Sequence, residues 1–305
     1  MKIVFFGTPE FAIPSLEALI ADGHEIAAVV TAPDKPGGRS HKLLQSDVKK
    51  FALANGLPLL QPVKLRDPEF LDELRRINAE LFVVIAFRML PEAVWAMPPR
   101  GTFNLHAALL PKYRGAAPIN HAIINGETET GVTTFLLDHD IDTGEILSQR
   151  RVPILPEDNV GTLYDRLMHI GAEEVVKTVR GLEEGTVTPR PQPDECPCPA
   201  PKLTPETGHI DWNRPAREIH NLVRGLSPYP GAWTMLDGAK CKILKTKLNG
   251  TRSQFPGHCN TFWKEFRVGT GDEDLELLLF QPAGKKPMTP IDYLNGHRSL
   301  TEFEP

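Results

Sequence analysis

Apolar residues come in two textures along this chain. Up to about residue 183, short unbroken apolar runs alternate with stretches of helical spacing. Residues 3–6 (IVFF) and 26–31 are continuous runs, the pattern of strands buried on both faces. Between them, 9–21 carries Phe11, Ile13, Leu16, Leu19 and Ile20 at helical spacing, and Gly23 is a stop. Strand, helix and strand in so short a span make the βαβ unit of an open parallel sheet. The spacing then predicts helices over 48–55, 68–77, 91–96, 117–125 and 160–183, and strands over 59–60, 81–86, 102–106, 130–137 and 145–152. From residue 209 the texture changes. A helix over 216–225 is followed by short runs at 232–236, 240–248, 262–268 and 275–281, the texture of a small β-barrel.

Composition adds a boundary. Proline is in excess, 29 in 305 residues, and many prolines cluster between Pro189 and Pro205. That cluster predicts a semi-rigid connector over 184–206, between a first domain at 1–183 and a second at 207–305. No apolar run is long enough to span a membrane, and the N-terminal run lacks the pattern of a signal peptide. The four cysteines are scattered apart from Cys196 and Cys198, which fits a reducing, cytoplasmic setting. The net charge of −5 argues at first against a nucleic-acid partner. Its distribution weakens that argument. Residues 1–183 hold 19 Lys and Arg against 24 Asp and Glu, whereas 184–305 hold 15 of each.

Two places could carry chemistry. Gly7-Thr8-Pro9 follows the first strand, where an open sheet receives ligands. It has one glycine where a dinucleotide fingerprint has three, so it reads more simply as a turn. The denser place joins Asn104 and His106, which share one face of a strand, to an acidic loop carrying Asp138, Asp140 and Asp142. An amide and an imidazolium both donate to an oxyanion, and a carboxylate can hold the imidazole or move a proton. Asp142 precedes Thr-Gly, a tight turn that would fix it best. A metal loop is disfavoured, because the glycine and terminal glutamate of a calcium loop are missing. Cys196-Pro197-Cys198 with His209 lacks zinc-ligand spacing.

The segments FGTPEFA (6–12), PDKPGGR (33–39), FNLHAALLPKYRGAAPI (103–119), ETGVTTF (129–135), DHDIDTGEI (138–146), IDW (210–212) and QPAGKK (281–286) resemble the methionyl-tRNA formyltransferase family nearly end to end. The resemblance implies an α/β protein with a Rossmann-like parallel-sheet N-terminal domain and a small OB-like β-barrel C-terminal domain. It implies formyl transfer from 10-formyltetrahydrofolate to the α-amino group of methionine on initiator tRNA, with no metal, by a cytoplasmic monomer. Asn104, His106 and Asp142 match the family's catalytic trio. Ala108, Leu109, Leu110 and Pro111 match its folate-contacting stretch, with alanine at 108 where serine is common. Phe87, Met89, Leu90 and Asp138 complete the expected folate side. The segment 87–91 (FRMLP) departs from a frequent Tyr-Gly form and is a residue shorter, which alters the pterin-side wall.

A tRNA needs cations for its phosphates. Lys35, Arg39 and Lys42 lie in a glycine-containing loop, and Lys240, Lys242, Lys245, Lys247 and Arg252 form a run without an acid. By strand alternation Lys245 and Lys247 share one face while Lys240 and Lys242 share the other. The expected tRNA contacts are Lys35, Arg39, Lys42, Lys245 and Lys247. Three rivals remain at this stage: a formyltransferase acting on an amino-sugar nucleotide or on water, a nicotinamide oxidoreductase, and a non-catalytic RNA-binding module.

Overall fold

In chain order the first elements are β1 (Lys2–Gly7), α1 (Ile13–Ala21), β2 (Glu25–Val30), a hairpin of β3 (Lys35–Pro36) and β4 (Leu43–Leu44), α2 (Asp47–Ala54) and β5 (Leu59–Leu60). Then follow α3 (Pro68–Ile77), β6 (Leu81–Ile85), α4 (Glu92–Trp95), β7 (Thr102–His106), α5 (Pro118–Ile124), β8 (Glu129–Leu136), β9 (Ile146–Pro153) and α6 (Val160–Glu184). The structure is a computed structural model that describes residues 1–37, 43–195, 197–252, 255–262, 265–296 and 302–304.

These strands form one seven-stranded sheet in the order β5-β2-β1-β6-β7-β8-β9. The unbroken apolar runs have the cause assigned to them: β1 and β6 are covered on both faces. Val4, Phe6, Phe82 and Val84 pack with Phe70 and Leu74 of α3 on one face. Ile3, Phe5, Val83 and Ile85 are equally buried. Local signals end the helices. Ser46 accepts from the Lys49 N–H at the start of α2, and Asp67 accepts from the Glu69 N–H at the start of α3. Gly7 is needed for contact, since a Cβ there would lie 2.8 Å from that of Ala12. That close packing accounts for a single glycine without any dinucleotide.

One expectation changes. The sheet is mixed, because β8 runs antiparallel to β7, with His106 opposite Thr133. A parallel return would need the intervening helix to lie across the sheet as a crossover. By contacts, α5 is counted in a different unit. The chain divides into residues 1–115, 130–152 and 164–199 as one unit, and 116–129, 153–163 and 200–305 as the other. The proline-rich stretch is shared out at the same point, through Pro199 with the first unit and from Ala200 with the second. Inside the first unit it is ordered by pairing, as Arg190 bridges to Ile146 in both directions.

The second unit adds α7 (Ala216–Leu226), β10 (Ala232–Leu236), β11 (Ala239–Leu248), β12 (Cys259–Phe262), β13 (Glu265–Gly269), β14 (Asp274–Gln281) and α8 (Pro290–Leu294). Its five strands form an antiparallel sheet in the order β10-β11-β14-β13-β12. The strand expected over 262–268 overlaps β13, and an unexpected strand, β12, precedes it and pairs with it antiparallel. Glu304 bridges to Met235 on β10, and Glu302 bridges to His258 beside β12, so residues 302–304 serve both edges of the sheet. Phe303 between them is buried against Trp212 and Phe280. Ile210 and Trp212 of the IDW segment are core residues, and QPAGKK is a turn closed by the Gln281 amide on the Lys285 carbonyl.

Within this unit, Nδ1 of His220 on α7 lies 2.9 Å from the Thr246 hydroxyl. Burial, with help from Arg224 and Arg217, pulls its pKa down to about 4. The unfolded chain takes up this proton near pH 6.5 and the folded one does not. The stabilisation is therefore complete above about pH 6.5 and is lost as pH falls towards 4, about 3 kcal/mol over the window. His220→Gln should flatten the dependence of the urea midpoint on pH between 7 and 4.5. An unchanged slope would refute this assignment.

Candidate active site

Strand β7 carries the site because its two neighbours and α6 hold it in the sheet. Phe103 and Leu105 are buried, and Gly171 of α6 lets that helix lie against Leu105, where a Cβ would come within 2.7 Å. The alternate positions, Asn104 and His106, face the other way. His106 is buried, with its ring edge against Phe135. Its Nε2 lies 2.8 Å from the Tyr113 carbonyl. A carbonyl only accepts, so Nε2 carries a proton, and Nδ1 is the ring atom left for acid–base work. Nδ1 faces Asp142 Oδ2 at 3.7 Å. The Asn104 carboxamide is half-exposed and makes no hydrogen bond among the described residues.

Of the expected trio, His106 and Asp142 face each other and Asn104 shares the strand face of His106, with a different division of labour from the one expected. The carbonyl of Tyr113 orients His106. The Asp142 carboxylate lies beyond hydrogen-bond length from the ring and is itself held by the Gly115 N–H, 2.8 Å from Oδ2. Tyr113 and Asp142 both sit at left-handed φ, 62° and 57°. Each costs roughly 1–2 kcal/mol for a residue with a Cβ. These two turns aim a carbonyl and a carboxylate at one imidazole.

Around this centre, further side chains hold the loops by their backbones. Thr133 donates to the Ala108 carbonyl (2.6 Å) and accepts from the Leu110 N–H (3.2 Å), while the Gln149 amide donates to the Leu110 carbonyl (2.8 Å). The Gln192 amide donates to the carbonyls of Asp142 (3.0 Å) and Gly144 (2.7 Å). In the acidic loop, Asp138 Oδ1 accepts from the Asp140 N–H (3.1 Å) and the Thr143 hydroxyl (2.7 Å), and His139 packs edge-on to Trp95. Those bonds give Asp138 and Thr143 a structural use as a turn. Among the described residues no three His, Cys, Asp or Glu side chains converge as metal ligands would.

The expected folate residues divide by exposure. Ala108 and Leu110 are buried and their backbones are engaged, so neither side chain offers a surface. A serine hydroxyl at 108 would sit inside the protein. Leu90 belongs to the core, and Phe87 packs edge-on to Phe6 at 5.7 Å. Met89, Leu109, Pro111 and Asp138 keep exposed surface. Arg88 extends over the ring of Phe87 and donates to the Val63 carbonyl (2.9 Å) and to that of Pro62. It closes one side of a groove of about 400 Å³ lined by residues 63–66 and 88–91, which includes Met89 and Leu90 and none of Asn104, His106 and Asp142.

Of the expected tRNA contacts, Arg39 and Lys42 lie outside the described residues, and Lys35 is exposed on β3. On β11 the lysines are regrouped. The ladder to β14 skips Leu244, a bulge that shifts the alternation by one residue. Cys241, Ile243, Leu244 and Thr246 turn inward, and Lys240, Lys242, Lys245 and Lys247 all come to the outer face. The expectation that alternation separates them is corrected by that extra residue. Lys240 stands over the Trp233 ring at 3.9 Å, and Lys247 pairs with Glu276 at 3.3 Å.

The chain also resembles known proteins along its length. Residues 1–179 match the family described as formyl transferase, and 202–298 match the formyl transferase C-terminal domain. A methionyl-tRNA formyltransferase of Parabacteroides distasonis is 50% identical over 99% of this chain and 98% of its own length. One from Bacteroides fragilis is 48% identical over 100% and 97%. Among solved structures, the N-formyltransferase of Helicobacter canadensis in complex with folinic acid and dTDP-3-aminofucose superposes with a TM-score of 0.68, covering 92% of this chain and 99% of its own, at 22% identity. That likeness speaks for the fold.

Proposed function

We infer what this chain does from a plain premise: it belongs to the formyl transferase family. It transfers the formyl group of 10-formyltetrahydrofolate to the α-amino group of methionine on initiator tRNA, giving N-formylmethionyl-tRNA for translation initiation. The observation that carries the choice of acceptor is the half-identity to methionyl-tRNA formyltransferases over both domains, against 22% for the amino-sugar enzyme. The folate is a co-substrate. The half-exposed Leu109 and Pro111 and the exposed Met89 fit its flat ring system, and the Asn104 amide, without a partner among the described residues, fits the formyl oxygen.

The reaction proceeds by attack of the neutral methionyl amine on the formyl carbon. The carbonyl oxygen becomes an oxyanion, to which Asn104 donates through its amide and His106 through protonated Nδ1. The attacking nitrogen must lose a proton and the departing folate nitrogen must gain one. Asp142, anchored by Gly115 beside Nδ1, moves that proton directly or through water. Collapse of the oxyanion breaks the carbon–nitrogen bond to the folate. The Tyr113 carbonyl keeps the Nε2 proton in place throughout, so the ring works from one edge.

The tRNA is held by Lys35, Arg39 and Lys42 of the first unit and by Lys245 and Lys247 on the outer face of β11. The protein works as a monomer in the cytoplasm, and no described helix is long and apolar enough to cross a membrane. Lys245→Ala with Lys247→Ala should raise the apparent KM for tRNA several-fold and lower the slope of log KM against log salt by about 1 to 2. Unchanged KM and slope would remove this face from the interface. The acceptor is tested by offering methionyl-tRNA and a dTDP-amino sugar with the same folate. Formylation of the sugar alone would overturn the reading.

A further inference from the structure

We propose that Gln192 is a positioning residue for the transfer step, acting through the backbone of Asp142. The inference rests on the catalytic reading of Asp142 given above. Gln192 lies in the proline-rich stretch, which the sequence presents as a connector, yet its side chain is spent entirely on the active-site loops. Its Nε2 donates to two carbonyls of one turn, Asp142 at 3.0 Å and Gly144 at 2.7 Å. Its Oε1 accepts from Arg114, 3.3 Å from Nε and 2.9 Å from one terminal nitrogen. Arg114 also donates to the carbonyls of Pro193 (2.9 Å) and Asp194 (3.2 Å). The neighbouring residue, Gly115, supplies the N–H that holds the Asp142 carboxylate.

One primary amide thus joins the two loops that meet at Asp142: the loop that carries the carboxylate and the loop that holds it. This matters because Asp142 sits at φ 57°, a conformation that a residue with a Cβ leaves readily unless its surroundings hold it. Asp142 must also keep its carboxylate at the edge of His106 Nδ1, where a displacement of 1 Å is enough to spoil a proton transfer. Gln192 meets the requirement without touching the reacting atoms. Its position along the chain is set by the Arg190–Ile146 bridge, which lays residues 190–194 beside the start of β9. Glutamine suits the task because its two ends have opposite roles, a donor for the carbonyls and an acceptor for the guanidinium.

The isosteric variant Gln192→Glu separates the two ends. It keeps an acceptor for Arg114 and replaces the donor with an oxygen facing two carbonyls. Under saturating methionyl-tRNA and 10-formyltetrahydrofolate, kcat should fall by about 10- to 100-fold, with both KM values within about threefold of the parent. Gln192→Met, which keeps length and loses all hydrogen bonds, should show the same split, so a folding defect in one variant leaves the other to decide. The discriminating arm is the background of Asp142→Asn. If Gln192 acts through Asp142, adding Gln192→Glu to Asp142→Asn costs less than about twofold further. An equal loss in both backgrounds, or full kcat in the single variants, overturns the proposal. Full activity of Asp142→Asn itself would instead remove the catalytic reading of Asp142, a separate result.

Discussion

Asp142→Ala and Asn104→Ala should each lower kcat by about 100-fold or more while the protein stays folded. The sizes follow from what each group does. The Asn104 amide has no partner among the described residues and is half-buried, so its removal strands no hydrogen-bond partner there. The packing of β7 is carried by Phe103 and Leu105. Loss of one donor to an oxyanion raises the barrier by about 3–4 kcal/mol. Asp142→Ala leaves the Gly115 N–H without its acceptor, which costs about 1 kcal/mol of stability at a partly exposed site. The same change removes the carboxylate facing Nδ1. Turnover at saturating substrates and the thermal midpoint, measured on the same preparations, check both halves. Near-normal turnover in either variant would exclude that residue from the chemistry.

Gly144→Ala should abolish most activity and also destabilise the first unit by about 3 kcal/mol or more. A Cβ at 144 would lie 1.7 Å from the Leu136 carbonyl oxygen, which belongs to β8 and cannot swing aside as a side chain can. The Leu136 N–H is bonded to the Glu145 carbonyl at 2.9 Å, so this is the neck of the loop that carries Asp142. Relief of the clash must open that neck, break the Gln192 bond to the Gly144 carbonyl and move the carboxylate away from His106. The expected result is a thermal midpoint lowered by several degrees together with loss of turnover. A stable and active Gly144→Ala protein would mean that the loop is free to adjust and that its geometry does not set the rate.

Much of this arrangement was legible in the sequence, and the exceptions share a cause. The strands of the first sheet could be read because burial on both faces leaves unbroken apolar runs. That His106 and Asp142 come to face each other could be anticipated, because strand spacing and a Thr-Gly turn mark them out as candidates together with Asn104. The missed features are those made by backbone atoms or by pairing across the chain. Nothing in the identity of Tyr113 shows that its carbonyl will orient His106. Gln192 lies in a stretch whose prolines suggest a connector, and its partners are carbonyls 48 and 50 residues away. The apolar spacing predicts a strand over 262–268 and not the pairing of β12 with β13, because no glycine, proline or asparagine stands between Phe262 and Glu265 to mark a turn. The bulge at Leu244 gives no compositional sign, yet it decides which lysines of β11 share a face.

The partner was also poorly served by net charge. The total of −5 is the charge of the first 183 residues, and it says nothing of the four lysines gathered on the outer face of one strand in the second unit. Charge placement depends on register, and register was the least legible property of this chain.

The central claim is tested most directly by the initial rate of formyl transfer from 10-formyltetrahydrofolate to charged initiator methionyl-tRNA, beside charged elongator methionyl-tRNA and a reaction without the folate. The expected result is folate-dependent formylation of the initiator species, much faster than of the elongator. Equal rates on both tRNAs, or release of formate without transfer to either, would contradict it.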